Sequence, residues 1–247
     1  MTHPPRAGLP SPRATWAFFI DLDGTLLEFA DTPSQVVTDR QFAHLIDGLS
    51  HTGAFALVSG RSIRDMDGLI GVAPLPMAGQ HGLERRDAAG RIWRAPHGAA
   101  LDRTIRIEMM SAAARHDGLL LEDKGLSLAL HYRRAPRWAE YAQRLVEGLA
   151  ERSAGSLECL RGNGVAELKL AGADKGSALA AFMHEPPFRG RLPVALGDDV
   201  TDECAFAAAN RLGGISIKVG AAPSCARYRL ANVAEARAWL RQTLDNP

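Results

Sequence analysis

Five short, largely apolar runs place the strongest constraint on the fold of this 247-residue chain. A strand that is buried on both faces has such a run, because the helices of a parallel sheet cover both of its faces. The predicted strands cover residues 16–22, 54–59, 75–78, 193–197 and 215–219. Segments with helical periodicity or Ala-rich composition lie between most of them, at 39–52, 175–183 and 201–210. This alternation predicts an α/β fold with a doubly wound parallel sheet.

The middle of the chain has a different pattern. Two helical segments, at 101–116 and 138–152, are each followed by a pair of short strands. Those strands are predicted at 119–122 with 126–132 and at 156–160 with 165–170, and glycine-containing turns join each pair. This pattern predicts an antiparallel α+β unit inserted into the parallel core. We therefore expect a discontinuous core at 14–100 and 171–247, with an inserted domain at 101–170.

Composition argues against several classes of protein. The formal net charge is +1, whereas a nucleic-acid binder usually carries a basic excess. No run approaches the roughly 20 apolar residues of a membrane helix, and three widely spaced cysteines suit a reducing cytosol. Residues 1–13 hold four prolines and resemble a disordered tail more than a signal peptide. We expect a cytoplasmic protein without a nucleic-acid or membrane partner.

Two aspartates, Asp21 and Asp23, lie at the end of the first predicted strand. Residues i and i+2 of a strand point to the same side, and two like charges this close need a cation or a shared proton. Ligands of open α/β sheets bind beyond the carboxyl ends of the strands. The pair is therefore a candidate reaction site, and the alternative interpretation is an Asp–Gly turn formed with Gly24.

A second acidic group follows the strand at 193–197, in Asp198, Asp199, Asp202 and Glu203. Four carboxylates within six residues repel one another unless a cation is nearby. A helix start explains Asp202 and Glu203, because acidic side chains are favourable there. It explains Asp198 and Asp199 less well. Oxygen ligands of this kind suit Mg²⁺.

Two further motifs carry groups that bind anions. Lys175 opens a predicted helix, where the helix dipole disfavours a cation, and it is one of only four lysines in the chain. Ser59, Gly60 and Arg61 follow the second predicted strand and offer a hydroxyl and backbone N–H groups to a phosphate. The alternatives are a solvated surface lysine and a plain Ser–Gly turn. Together the four motifs suit phosphoryl transfer through an aspartyl-phosphate.

In their order along the chain, these motifs resemble those of haloacid dehalogenase (HAD) superfamily phosphatases. The matching stretches are DLDGTL from Asp21, SGR from Ser59, DKG around Lys175 and GDDVTDE around Asp198. The resemblance implies an HAD-like core with an inserted C2-type cap domain. It also implies that Asp21 is the nucleophile, that Asp23 is the general acid and base, and that Asp21, Asp23 and Asp198 bind Mg²⁺.

The same resemblance implies roles for the remaining residues of the four motifs. Ser59, Gly60, Arg61 and Lys175 would bind the phosphoryl group, and Lys175 would also neutralise the nucleophile. Asp199 and Asp202 would contact the metal ion only indirectly, through waters or through hydrogen bonds to its ligands.

Within the superfamily, four further stretches resemble the trehalose-6-phosphate phosphatase family. They are AGQHGLE at 78–84, LEDKG at 121–125, SLALHYR at 127–133 and ELK at 167–169. The resemblance implies that Glu122, Lys124 and Glu167 bind the sugar, and the alternative for the first two is a charged hairpin turn. It implies Mg²⁺-dependent hydrolysis of trehalose 6-phosphate to trehalose and phosphate, a step of trehalose biosynthesis. We expect a monomer whose partner is this small-molecule sugar phosphate.

Three other functions stay open at this point. A related capped phosphatase could act on another sugar phosphate, of the sucrose-phosphate or mannosyl-phosphoglycerate type. A catalytically dead regulator could bind a phosphosugar, although every expected catalytic group is present. A structural protein could bind a partner through the basic tail at 1–13.

Overall fold

A computed structural model describes residues 8–32, 35–71, 74–96 and 101–245 of the chain. These residues form two compact units. The first unit consists of the described residues of 1–29, 36–93 and 174–247, and the second of those of 30–35 and 94–173. The second unit includes the insert predicted at 101–170, and its boundaries lie a few residues outside the predicted ones. Residue 100, where we placed one boundary, lies outside the described residues.

The chain forms twelve strands and seven helices in its described part. The strands are β1 (Ala17–Ile20), β2 (Phe55–Val58), β3 (Met77–Gly79), β4 (Glu84–Arg86), β5 (Ile92–Arg94), β6 (Leu120–Asp123), β7 (Ser127–His131), β8 (Leu157–Gly162), β9 (Val165–Leu170), β10 (Pro193–Gly197), β11 (Ile215–Val219) and β12 (Tyr228–Leu230). The helices are α1 (Arg40–Ser50), α2 (Ile63–Ile70), α3 (Arg103–Arg115), α4 (Ala139–Arg152), α5 (Lys175–Met183), α6 (Glu203–Arg211) and α7 (Val233–Asp245).

An eight-stranded sheet in the order β12-β11-β10-β1-β2-β3-β4-β5 forms the first unit. The strands from β12 to β3 are parallel, and β4 runs antiparallel to β3. The α/β prediction is confirmed, since the five predicted strands are β1, β2, β3, β10 and β11. Sequence analysis does not identify β4, β5, β12, α2 or α7. The missed strands have three residues each, too few to show a periodic pattern, and unlike β3 none of them lies in a continuous apolar run.

Alternate residues of β1 pack on opposite faces of this sheet. Phe18 and Ile20 belong to a cluster of large side chains that also contains Phe42 of α1 and Trp239 of α7. Phe19 belongs to a cluster on the other face, where α5 and α6 contribute mainly alanine and phenylalanine. Because both faces are covered, polar side chains of the strands gather at the sheet edges, and the carboxyl edge carries the candidate site.

Residues 8–13 differ from the disordered tail that we predicted at 1–13, whose first seven residues lie outside the described part. The indole N–H of Trp239 donates to the carbonyl of Pro10 at 3.0 Å. Leu9 packs against the core, and Pro12 is buried. A buried indole needs an acceptor, and this short segment provides one.

The second unit contains a four-stranded antiparallel sheet in the order β6-β7-β9-β8. Helix α3 packs on β6 and β7, and α4 packs on β8 and β9. The two hairpins and two helices agree with the predicted α+β pattern. None of the helices in the described part of the chain has the length and apolar composition that a membrane crossing requires.

Helices α5 and α6 approach each other closely at Gly176. A Cβ atom built there would lie closer than 3.0 Å to the carbonyl oxygen of Cys204, a separation that real Cβ atoms essentially never show. Gly68 in α2, by contrast, has no atom within 4 Å of such a Cβ. The two glycines therefore form a matched pair for testing how α5 is held against α6.

We expect Gly176→Ala to lower the free energy of unfolding by about 1–3 kcal/mol, because the methyl group overpacks the α5–α6 contact. Gly68→Ala is expected to raise it by about 0.5–1 kcal/mol, because alanine is the better helix former. Urea unfolding of both variants measures the difference. Equal effects of the two substitutions would contradict the close approach.

Candidate active site

Three acidic or basic side chains converge at the carboxyl edge of the large sheet. Asp21 follows β1, Lys175 begins α5, and Asp202 lies in the loop after β10. The Lys175 Nζ atom lies 3.1 Å from Asp21 Oδ2 and 2.8 Å from Asp202 Oδ1. Their exposed fractions are 2% for Lys175, 6% for Asp21 and 2% for Asp202. The lysine therefore joins the first and last predicted motifs in a buried ion-pair cluster.

A capping box explains how a cation can occupy the first position of α5. The carboxylate of Asp174 accepts from the Ser177 N–H at 2.6 Å, and the Ser177 hydroxyl accepts from the Asp174 N–H at 2.9 Å. These bonds satisfy the helix terminus locally. The unfavourable interaction of Lys175 with the helix dipole is then offset by its two carboxylate partners.

Asp202 holds the acidic loop together. Its Oδ2 accepts from the backbone N–H groups of Asp198 at 3.1 Å and Asp199 at 3.0 Å. Asp199 accepts in turn from the Val200 N–H and caps the 3₁₀ turn that leads into α6. Asp198 alone of the three directs its carboxylate toward Thr25, whose hydroxyl lies 3.3 Å away.

Glycines let the two acidic segments approach each other. Gly24 has a φ of +77°, and a Cβ there would lie closer than 3.0 Å to the Asp198 carboxyl group. A Cβ on Gly197 would collide in the same way with the Asp202 carboxyl group. Glycine is therefore required at both positions to bring carboxylates against the backbone.

The guanidinium group of Arg61 forms an ion pair with the carboxylate of Asp23. Its Nε donates to Asp23 Oδ2 at 2.6 Å and its Nη2 donates to Oδ1 at 2.7 Å, which is a bidentate pair. Ser59 is 1% exposed, and its hydroxyl oxygen accepts from the Arg61 N–H at 3.3 Å. The loop formed by Ser59, Gly60 and Arg61, called the 59–61 loop below, thus contacts the general acid and base predicted at Asp23.

Burial and charge repulsion shift the pKa values of this cluster. Burial raises the pKa of Asp21 well above its ordinary value, and Lys175 only partly opposes the shift. Burial and the neighbouring Asp202 carboxylate raise the pKa of Asp198 to about 7. Burial alone would lower the pKa of Lys175, but Asp202 and Asp21 outweigh it and the pKa rises. The lysine is therefore charged at neutral pH.

The donor set fits a hard divalent cation. One carboxylate oxygen from each of Asp21, Asp198 and Asp202 lies within 4.8 Å of the other two. Asp202 already accepts from Lys175 and two backbone N–H groups, which leaves Asp21 and Asp198 as the available carboxylate ligands. Three carboxylates against the two buried ammonium groups of Lys175 and Lys218 leave excess negative charge, and Mg²⁺ prefers all-oxygen sites of this kind.

Lys218 also belongs to this site, although sequence analysis assigns it no role. It lies in β11 beside Gly197, is 2% exposed, and its Nζ donates to the backbone carbonyl of Asp198. Asp198 also lines a cavity of about 260 Å³, together with Gly24 and Glu28. Lys218 reaches the acidic loop because it pairs with Gly197, the last residue of β10, and this strand register cannot be read from the sequence.

The predicted sugar-binding residues lie together in the second unit. Glu122 and Glu167 both pair with Ala129, so they share one cross-strand row and one face of the sheet. Lys124 Nζ lies 3.0 Å from Glu167 Oε2, in a pair whose side chains are 8% and 4% exposed. The structure therefore brings all three residues to one face, while their sugar-binding role stays a prediction.

His131 and Lys169 are further polar residues of this sheet, and sequence analysis assigns neither of them a role. His131 Nε2 donates to Glu122 Oε2 at 2.8 Å. Burial alone would raise the pKa of Glu122, but this hydrogen bond and Lys124 lower it below its ordinary value. Lys169 is 1% exposed and donates to the carbonyls of Leu170 and Ala173. These contacts do not follow from the sequence, because they depend on how the strands and the following turn are placed.

Comparison with known proteins agrees with this description. The model of a family described as trehalose-phosphatase matches residues 19–235. The trehalose-6-phosphate phosphatase of Escherichia coli K12 is 41% identical over 241 residues, which cover 96% of this chain and 89% of that protein. A probable trehalose-phosphate phosphatase of Sinorhizobium fredii is 44% identical over 207 residues, covering 83% of this chain and 78% of that protein.

A solved structure, the C-terminal domain of C. albicans trehalose-6-phosphate phosphatase, superposes with a TM-score of 0.84 at 19% identity. The match covers 96% of this chain and 93% of that one. The chain thus has the fold of solved phosphatases of the HAD superfamily, and on this fold an aspartate at the end of β1 is joined through a buried lysine to an acidic loop after β10. The family match and the two sequence relatives are more specific. The chain belongs to the trehalose-phosphatase family.

The raised pKa values predict how stability depends on pH when no metal is bound. The pKa of Asp198 is about 7 in the folded protein and about 4 in an unfolded chain, so the folded state binds more protons between these values. The contribution of Asp198 to the free energy of unfolding in EDTA should therefore fall as pH rises from 4 to 7, with a slope of at most about 1.4 kcal/mol for each pH unit.

Melting temperatures in EDTA across this pH range test the expectation, with Asp198→Asn as the matched variant. The variant should lose much of the decrease, because it has no carboxylate to deprotonate. Saturating Mg²⁺ should stabilise the wild type most at pH 7 and above. If the melting temperatures of the wild type and the variant in EDTA change in the same way from pH 5 to 7, the raised pKa of Asp198 is contradicted.

Proposed function

We propose that this chain hydrolyses trehalose 6-phosphate to trehalose and phosphate, with Asp21 as the nucleophile. The observation that carries the proposal is the position of Lys175 Nζ between Asp21 and Asp202 at the carboxyl edge of the sheet. An ammonium ion there favours the ionised, nucleophilic form of Asp21 against the burial that raises its pKa, and it is placed to meet the negative charge of a phosphoryl group.

The residues of the first unit have separate roles in the proposed phosphoryl transfer. Asp21 forms a bond to phosphorus while the bond to the sugar oxygen breaks, and Asp23 gives that oxygen a proton. Water then attacks the aspartyl-phosphate, and Asp23 takes a proton from this water, which releases phosphate. Asp21, the backbone carbonyl of Asp23 and Asp198 would hold Mg²⁺, which when bound neutralises phosphoryl charge. Asp202 keeps Lys175 and the acidic loop in place.

Arg61 links phosphate binding to the role of Asp23. As long as the guanidinium is paired with the Asp23 carboxylate, both carboxylate oxygens accept from Arg61 and neither is available to the leaving group. We propose that the arrival of a phosphoryl group draws Arg61 toward the phosphoryl oxygens, beside the Ser59 hydroxyl and the Gly60 backbone. Asp23 is then released to carry the proton that the leaving sugar oxygen needs.

The charged face of the second unit is the proposed sugar-recognition surface. Glu122, Lys124 and Glu167 lie on one face, and charged groups form strong hydrogen bonds with sugar hydroxyls. The second unit would then act as the substrate-specificity domain. We further propose a cytoplasmic, monomeric enzyme, and three free cysteines suit a reducing compartment.

Phosphate release from a panel of sugar phosphates tests the proposal. We expect Mg²⁺-dependent release that is fastest with trehalose 6-phosphate and abolished by EDTA. Asp21→Asn should lower kcat by at least about 10³-fold, because an amide is not a nucleophile for phosphorus. Faster release from sucrose phosphate or mannosyl-phosphoglycerate would overturn the proposed substrate. No release from any sugar phosphate by the wild type would overturn the enzymatic function.

The role of the charged face is tested by Glu122→Ala. We expect kcat/KM for trehalose 6-phosphate to fall about 10- to 100-fold, since hydrogen bonds to charged groups contribute about 1.5–3 kcal/mol. Activity toward a small aryl phosphate should change less than about twofold, because that substrate has no sugar. Glu108→Ala is the matched control, since Glu108 of α3 forms an exposed ion pair with Arg152 in the same unit. An equal loss toward both substrates would argue against sugar recognition by Glu122.

A further inference from the structure

A buried turn with unusual backbone geometry follows β3 in the first unit. Gln80, His81 and Gly82 all have positive φ angles, of +47°, +57° and +96°. Glycine adopts this left-handed conformation readily, but other residues adopt it only at a cost in free energy. Gln80 is 2% exposed and His81 is 8% exposed. Such strain persists where surrounding contacts hold it, and it concentrates at functional sites.

The backbone of this turn is hydrogen-bonded to the 59–61 loop. The Gln80 N–H donates to the Arg61 carbonyl at 2.8 Å, and the His81 N–H donates to the Ser59 carbonyl at 3.0 Å. Farther along, the Glu84 carboxylate accepts from the first N–H of α2 at 2.7 Å. The turn therefore holds both ends of the loop that carries the proposed phosphate-binding groups.

The imidazole ring of His81 lies against the middle of the same loop. A Cβ atom built on Gly60 would lie 2.6 Å from both Cε1 and Nε2 of the ring. Gly60 does not have a positive φ, so its backbone conformation does not require glycine. It is the ring of His81 that requires glycine at position 60.

On its other side, the turn contacts the beginning of α5. A Cβ atom on Gly82 would lie 2.6 Å from the carbonyl oxygen of Asp174, the residue that caps the helix before Lys175. One strained turn thus lies between the 59–61 loop and the helix start that carries the lysine. These contacts explain what holds Gln80 and His81 in a costly conformation.

We propose that His81 is a positioning residue for phosphoryl transfer. Its ring packs on Gly60 and keeps the 59–61 loop in the conformation in which Ser59 meets the phosphoryl group and Arg61 reaches Asp23. The left-handed backbone at His81 is what directs the ring onto the loop. This inference rests on the proposed phosphate-binding function of the loop, but not on the identity of the sugar.

The test variant is His81→Gly, because glycine accepts a φ of +57° without strain and only the ring is lost. We expect kcat/KM for a small aryl phosphate to fall at least 10-fold, and the dissociation constant of orthovanadate, measured by calorimetry with Mg²⁺, to rise at least 5-fold. The melting temperature should stay within a few degrees of the wild type. His44→Ala, an exposed histidine of α1, is the control and should behave as the wild type.

A compensating pair tests the ring contact directly. Gly60→Ala places a methyl group into the ring and should lower kcat at least 100-fold. The double variant Gly60→Ala/His81→Gly removes the clash and should be at least 10-fold more active than Gly60→Ala alone. A double variant no more active than Gly60→Ala would overturn the proposal.

Other outcomes are equally decisive. If His81→Gly lowers the melting temperature strongly but leaves kcat/KM and vanadate affinity unchanged, His81 has only a structural role and the proposal fails. If that variant does not fold, His81→Asn replaces it, because asparagine tolerates the left-handed conformation. If the wild type hydrolyses no phosphomonoester, the proposed function fails. The vanadate measurement then still decides whether His81 positions an anion-binding loop.

Discussion

A buried ammonium group between two carboxylates organises the first unit of this protein. Lys175 lies almost without solvent contact between Asp21 and Asp202, and a buried charge is tolerated only when it is paired and hydrogen-bonded. The capping box of α5 places the lysine at the helix start, and the close approach at Gly176 seats that helix against α6. Removal of either carboxylate would leave the buried ammonium with one ion-pair partner instead of two.

The same cluster carries more negative charge than the lysine can neutralise. Asp202 uses its oxygens to bind Lys175 and the backbone of the acidic loop, while Asp21 and Asp198 retain raised pKa values. Part of the stability of the fold is therefore given up at the site where we propose that a cation and a phosphoryl group bind. The left-handed backbone at His81 also costs free energy, and we propose that this backbone is what keeps the 59–61 loop in its conformation.

Much of this arrangement could be predicted from the sequence. The apolar runs indicated the five central parallel strands, and the motifs singled out Asp21, Lys175 and Asp198, which the structure brings together. The strands β4, β5 and β12 escaped prediction because three residues carry no periodic signal and, unlike β3, these three are interrupted by charged side chains. The order at residues 8–13 escaped it because Trp239, more than two hundred residues away, supplies the partner.

The sequence by itself determined the α/β architecture, the family and the residue types of the site, because apolar periodicity and the spacing of motifs are local properties. Only the tertiary structure decided which partner each charged side chain takes. Arg61 pairs with Asp23, His131 with Glu122, and Lys218 with the backbone of Asp198. Such pairings depend on strand register and on loops that meet across the sheet edge, and hydrogen bonds require their atoms within about 3 Å of each other. Distances of that kind are set by the packing of the whole unit.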